Sequence, residues 1–178
     1  LEGYDSANGS RVMPAPQNAL PVVTYSDKAE LHLAGQTALL THTAAAHTDG
    51  DTFVYFPEAN VLATGDLFNS FAYESANLEH DGTLDGLIAA EAAMLAIAND
   101  QTKIVPGHGP LTDKKDLAAF HNLLVQGRAR VAALMKQGKS LQEIFAAKPV
   151  ADVSANIKRE LKNDDSFVAG IYRALGGK

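Results

Sequence analysis

Three residues, His47, Asp66 and His108, carry the side chains best suited to chemistry, and each closes an apolar run that empties into a turn. Their surroundings read AHTDGD, ATGDLF and VPGHGP, in that order. Imidazole and carboxylate are common protein ligands of zinc and related divalent metals. A strand end suits them, because the sheet fixes the backbone while the turn leaves the side chain free to point at an ion. Gly65 precedes Asp66, and Gly107 and Gly109 flank His108; glycine permits backbone angles and close approaches that a Cβ would obstruct. Read singly, His47 is an ordinary strand-end histidine, Asp66 a turn cap and His108 a polar residue in a Pro-Gly loop. Their joint order points instead to a metal-holding cavity at a sheet edge.

The remaining polar candidates read as supporting or solvated groups. His32 sits in an alternating stretch and is expected to face solvent, His42 is placed to support the first turn, and His121 is expected on a helix away from its apolar face. Glu79-His80-Asp81 has the composition of a cation site, but adjacent side chains point in different directions and charged loop clusters are usually solvated. Asp49 and Asp51 are expected to shape the His47 loop.

Together the three pieces resemble the second half of the metallo-β-lactamase fold. The resemblance implies an α/β architecture, part of an αββα sandwich, mostly its C-terminal half, with a C-terminal helical extension. It also implies that His47 binds a first metal, Asp66 bridges two and His108 binds the second. Zinc is the expected ion, two per complete protein, with iron or manganese suited to the same donors. The penicillin-hydrolysing members commonly carry cysteine at the bridging step; aspartate is closer to the glyoxalase-like and broader hydrolase branches.

The family's earlier His-x-His-x-Asp-His motif does not occur in these 178 residues. Each metal would then have two ligands from this chain, counting Asp66 twice, whereas catalytic zinc normally keeps three. The general acid or base is expected in that motif, and the chain alone is expected to be a poor catalyst. The implied activity is hydrolysis of an ester, thioester, amide or phosphoester by a metal-activated hydroxide. Two other readings stay open: an iron-dependent glyoxalase-like or sulfur-dioxygenase-like enzyme, and a non-catalytic binding module. The implied partners are a small-molecule substrate and, over an otherwise exposed apolar sheet face, the N-terminal half or another chain, a homodimer included.

Composition narrows the classes further. Fifteen Lys plus Arg against 21 Asp plus Glu give a formal charge of −6 without a basic run, which argues against nucleic acid as a partner. No stretch of about 18 apolar residues and no secretory n-region with an h-region is found, so neither a membrane span nor an export signal is expected. The chain starts at Leu1 rather than Met and is expected to be a trimmed product. A soluble protein of cytoplasm or periplasm is expected, and the absence of cysteine chooses neither compartment.

The elements that must position the site follow from periodicity. One domain is expected over 1–178, with 1–21 a Gly/Pro-rich lead-in, 22–110 the sheet and metal loops, and 111–178 mainly helical. Residues 22–25 are a short β-branched run, and 30–33, 37–43, 52–56 and 61–63 read as strands. The polar 69–82 stretch, with Phe71 and Tyr73, is expected to form a substrate wall. Thr83 caps a helix reaching 98, and 103–105 is a strand leading into the His108 turn. A long helix after Thr112 steps through Leu117, Phe120, Leu124 and Val131 and stops at Gly138. Ser140 and Glu143 form a capping box for a helix that Pro149 ends, and two more helices are expected at 154–161 and 165–175.

Overall fold

Alternating runs separated by turn residues build a six-stranded sheet, and amphipathic helices cover one of its faces. The computed structural model describes residues 3–5, 9–73, 81–155, 157–160 and 162–177. In chain order its strands are β1 (Tyr4–Asp5), β2 (Arg11–Val12), β3 (Lys28–Leu33), β4 (Gln36–His42), β5 (Thr52–Phe56), β6 (Val61–Asn69), β7 (Lys103–His108) and β8 (Thr112–Asp113). The helices are α1 (Leu84–Ile97), between β6 and β7, and then α2 (Lys114–Lys136), α3 (Leu141–Ala147), α4 (Ala151–Ser154) and α5 (Asp164–Ala174). The main sheet has the order β3-β4-β5-β6-β7-β8. Among the described strands only β6 and β7 run parallel, and α1 supplies the crossover that a parallel pair needs.

Local chemistry explains the joints. Ala34 and Gly35 both take positive φ (51° and 77°) between the paired Leu33 and Gln36, the two-residue primed turn that matches strand twist. Thr83, Asp113, Ser140 and Asn163 each cap a helix with a side-chain oxygen, and Glu143 completes the capping box at Ser140.

Pairing register sorts residues by face. Leu39, Tyr55, Leu62 and Ile104 line up across the sheet on the helix side, where Leu62 and Ile104 are fully buried with Leu87, Met94, Leu117 and Phe120. On the opposite face, Ala29, Leu40, Val54, Ala63 and Val105 form an apolar row, and Val105 is 43% exposed. Helices α1 and α5 each pack on α2, and Gly127 of α2 lets α5 come close: an added Cβ there would come within 2.8 Å of Ile171.

Several segments depart from the sequence reading. The 1–21 stretch contains the β1–β2 hairpin and a 3-10 turn, Gln17–Ala19. Residues 22–25 form no strand: Val22 is fully exposed and no strand pairs with the run, so β-propensity has no neighbour to act on. Strand β6 extends to Asn69, beyond the expected end at 63, through register irregularities at Gly65. Of the helix expected at 154–161, only Ser154 is helical, as the last residue of Ala151–Ser154, and 157–160 are not. Asn156 and Leu161, like residues 74–80 with Glu79 and His80 of the charged loop cluster, lie outside the described residues.

Candidate metal centre

Strand direction gathers the candidate ligands. β4 runs toward the 43–51 loop and β5 runs back from it, β6 is antiparallel to β5, and β7 is parallel to β6. The loop carrying His47, the distal part of β6 with Asp66, and the end of β7 with His108 therefore all stand at one end of the sheet.

Asp66 and His108 come into direct contact there. His108 Nε2 lies 3.2 Å from Asp66 Oδ1, and the two side chains are 65% and 40% exposed, respectively. Gly65, at φ 54°, breaks the β6 register and turns Asp66 toward β7. Buried Thr64 anchors this bulge by donating to the Gly65 carbonyl at 2.9 Å. Gly107 is required beneath the carboxylate: a Cβ there would overlap Asp66 Oδ1 and stand 2.7 Å from the Gly65 carbonyl carbon and oxygen.

His47 is held in a braced loop. Its Nδ1 lies 4.0 Å from Asp51 Oδ1. Asp51 Oδ2 accepts from Thr48 N at 2.7 Å, Asp51 Oδ1 accepts from Thr48 Oγ1 at 3.1 Å, and the Asp51 carbonyl lies 2.9 Å from both Thr43 N and His42 Nδ1. Asp51 and His42 thus shape this loop, as their positions suggested. Ala45 takes φ 49° and Ala46 is fully buried.

Two donors of one tetrahedral zinc, each about 2.0–2.1 Å from the ion, stand roughly 3.3 Å apart. The Asp66–His108 separation fits one edge of such a site. Among the described residues, no three His, Cys, Asp or Glu side chains gather closely enough to hold an ion by themselves. The structure therefore brings Asp66 and His108 together and places His47 beside Asp51, outside any such group of three.

No family model and no curated protein matches the chain. Solved structures do. A metallo-β-lactamase from Pontibacter korlensis is 25% identical, with a TM-score of 0.51 over 58% of this chain and 48% of its own. The chain has a metallo-β-lactamase fold. The stereoselective inverting sec-alkylsulfatase Pisa1 from Pseudomonas sp. is 17% identical, with a TM-score of 0.63 over 93% of this chain and 27% of its own. A double mutant of that sulfatase reaches 0.65 over 96% of this chain and 28% of its own. The chain thus spans about half the length of the lactamase and little more than a quarter of the sulfatase.

Around this part of the metallo-β-lactamase fold, other side chains have roles that their types alone did not announce. Tyr73 packs on Phe120 and Phe167, with centroids at 5.9 and 5.2 Å, so it belongs to the core rather than to a substrate wall. Burial, and then the Asp164 carboxylate, push its phenol far above the usual range and keep it protonated. Phe71, by contrast, borders a hollow of about 380 Å³ next to the His108 turn, together with Ser70, Pro110 and the 157–160 segment. Arg159, whose side chain is 1% exposed, donates to Asp116 Oδ1 at 2.7 Å, and its guanidinium lies 5.4 Å from the ring centroids of Phe68 and Phe120. His121 is not on an idle face: its Nδ1 lies 3.6 Å from Oε2 of fully buried Glu91. The signal for Glu91 was present, since it falls in helical step with Leu84, Leu87 and Met94 on the covered side of α1.

Among the described residues, no helix is long and apolar enough to cross a membrane.

Proposed function

We propose that this chain supplies His47, Asp66 and His108 to a two-zinc site in a hydrolase, with the remaining donors coming from outside these 178 residues. The observation that carries the reading is the 3.2 Å approach of the His108 and Asp66 donors at the sheet end to which the His47 loop also belongs. Asp66 is the bridging ligand in this reading, His108 binds one ion and His47 the other. When bound, such ions supply Lewis acidity that activates water and stabilises developing negative charge on a carbonyl, phosphoryl or sulfuryl oxygen.

This chain's own part is positional. Gly107 leaves room for the Asp66 carboxylate, Asp51 faces the Nδ1 side of His47 and leaves Nε2 as the ring nitrogen this reading assigns to an ion, and Phe71 with Pro110 borders the adjoining hollow. Both structural relatives bear the names of hydrolases, which supports hydrolysis in general. The substrate class is an ester, thioester, amide or phosphoester, and the sulfatase likeness over nearly the whole chain adds sulfate esters to those worth assaying.

The test is elemental analysis of the intact protein and of Asp66→Ala and His108→Ala, with hydrolysis measured on a panel of those esters. About two zinc per wild-type protein, with metal content and turnover both lost in Asp66→Ala, is the expected result. Wild-type metal content in both variants would sink the proposal, and iron in place of zinc would move the protein to the oxidoreductase reading.

A further inference from the structure

Two short hydroxyl side chains tie the histidine turns to the ends of one connecting segment. The segment leaves β6 at Ser70 and rejoins the described chain before Thr83, the N-cap of α1. At its first end, Ser70 N donates to the His108 carbonyl at 3.0 Å and Ser70 Oγ donates to the Pro110 carbonyl at 2.7 Å. At its second end, Thr83 N lies 3.0 Å from the Ala45 carbonyl and 2.9 Å from that of Ala46, and Thr83 Oγ1 donates to the Ala45 carbonyl at 2.5 Å. The same Thr83 oxygen accepts from Gly86 N at 3.0 Å, so one hydroxyl both caps α1 and holds the loop two residues ahead of His47.

A glycine makes room at each contact. A Cβ on Gly109 would stand 2.6 Å from Ser70 Oγ and 2.7 Å from Phe71 N. A Cβ on Gly86 would overlap the Ala45 carbonyl. Both joints are therefore tight backbone approaches that larger residues would force apart. Ser70 is 8% exposed, so little water competes for its hydrogen bonds.

We propose that Ser70 and Thr83 are positioning residues that set the two histidine turns, Thr83 acting on His47 and Ser70 on His108. The proposal rests on the reading of those histidines as metal ligands. Neither hydroxyl is a ligand; each acts through the backbone of a turn that carries one.

The test separates this role from ordinary helix capping. Zinc affinity by competitive chelator titration and thermal unfolding of the metal-free form are measured in the intact protein for Thr83→Val, Thr83→Ser, Ser70→Ala, His47→Ala and Ser140→Ala. Ser140→Ala removes a cap from α3 in the same way. The expected result is a loss of zinc affinity of about tenfold or more in Thr83→Val and Ser70→Ala, the size typical of groups that orient metal ligands. Thr83→Ser should restore wild-type affinity, and Ser140→Ala should lower the unfolding temperature without changing affinity. Wild-type affinity in Thr83→Val and Ser70→Ala while His47→Ala is weakened overturns the positioning role alone. Equal losses in Thr83→Val and Ser140→Ala also overturn it, because capping would then explain everything. Wild-type affinity in His47→Ala removes the ligand reading of His47, and the role of Thr83 with it.

Discussion

At the scale of single residues, the site depends on what is missing from Gly107 as much as on what Asp66 and His108 carry. Gly107→Ala puts a methyl group where the Asp66 carboxylate and the Gly65 backbone already stand, and backbone yields less readily than a flexible side chain. A loss of about 1–3 kcal/mol of stability, the usual cost of overpacking, together with weakened zinc binding, is expected from urea unfolding and chelator titration. A tolerated substitution with unchanged metal affinity would mean that Asp66 has another place to go. Far from the site, Glu143 gives a pH-dependent prediction: its hydrogen bond from Lys139, then those from Ser140, pull its carboxyl from an ordinary 4.5 down to about 2. A carboxylate depressed in the folded state stabilises it above the unfolded pKa, and that contribution disappears as pH falls through the folded one. The unfolding temperature of Glu143→Gln should therefore lie below wild type at pH 7, and the gap should close between about pH 4.5 and 2. The order of the sequence motifs placed Asp66 and His108 near one another, and their donor atoms do lie 3.2 Å apart. Residue type was silent for Ser70, whose partners are carbonyls that any amino acid could supply.

At the scale of elements, helix ends were legible and long-range docking was not. The caps at Thr83 and Ser140 are decided within a few residues, so the sequence contains both donor and acceptor. The 157–160 segment is decided elsewhere. Arg159 lies against Phe68 of β6 and Phe120 of α2 and pairs with Asp116, a contact that accompanies the non-helical backbone of 157–160. Arg159→Ala should cost about 2–4 kcal/mol in denaturant unfolding, because it deprives Asp116 of its charged partner and uncovers two rings. Arg159→Lys should recover only part of this, since an ammonium offers neither the flat face nor the forked donors of a guanidinium. Full recovery by lysine would reduce the contact to simple charge pairing. The length of β6 was underestimated for a related reason: the bulge at Gly65 breaks the two-residue rhythm, and only pairing with β7 shows that the strand continues to Asn69.

At the scale of the molecule, the sequence order of strands and helices announced an α/β layer, and the metallo-β-lactamase likeness bears that out. Which face would lie bare was not readable, because it follows from the pairing register that sets Leu40, Val54, Ala63 and Val105 side by side. We propose that the remainder of the sandwich, or another copy, covers this row. The 178-residue chain prepared alone should then associate with rising concentration in sedimentation, and Val105→Lys should weaken that association. A strictly monomeric chain would contradict the idea. The sheet order has one more consequence. Every strand of the main sheet lies beside its neighbour in sequence, so the meander from β3 to β6 can zip through short loops, whereas β7 must wait for the α1 crossover. On a ribosome the His47 loop and Asp66 would emerge and take shape first, and His108 would arrive late, so the proposed centre would be assembled from its early half toward its late one.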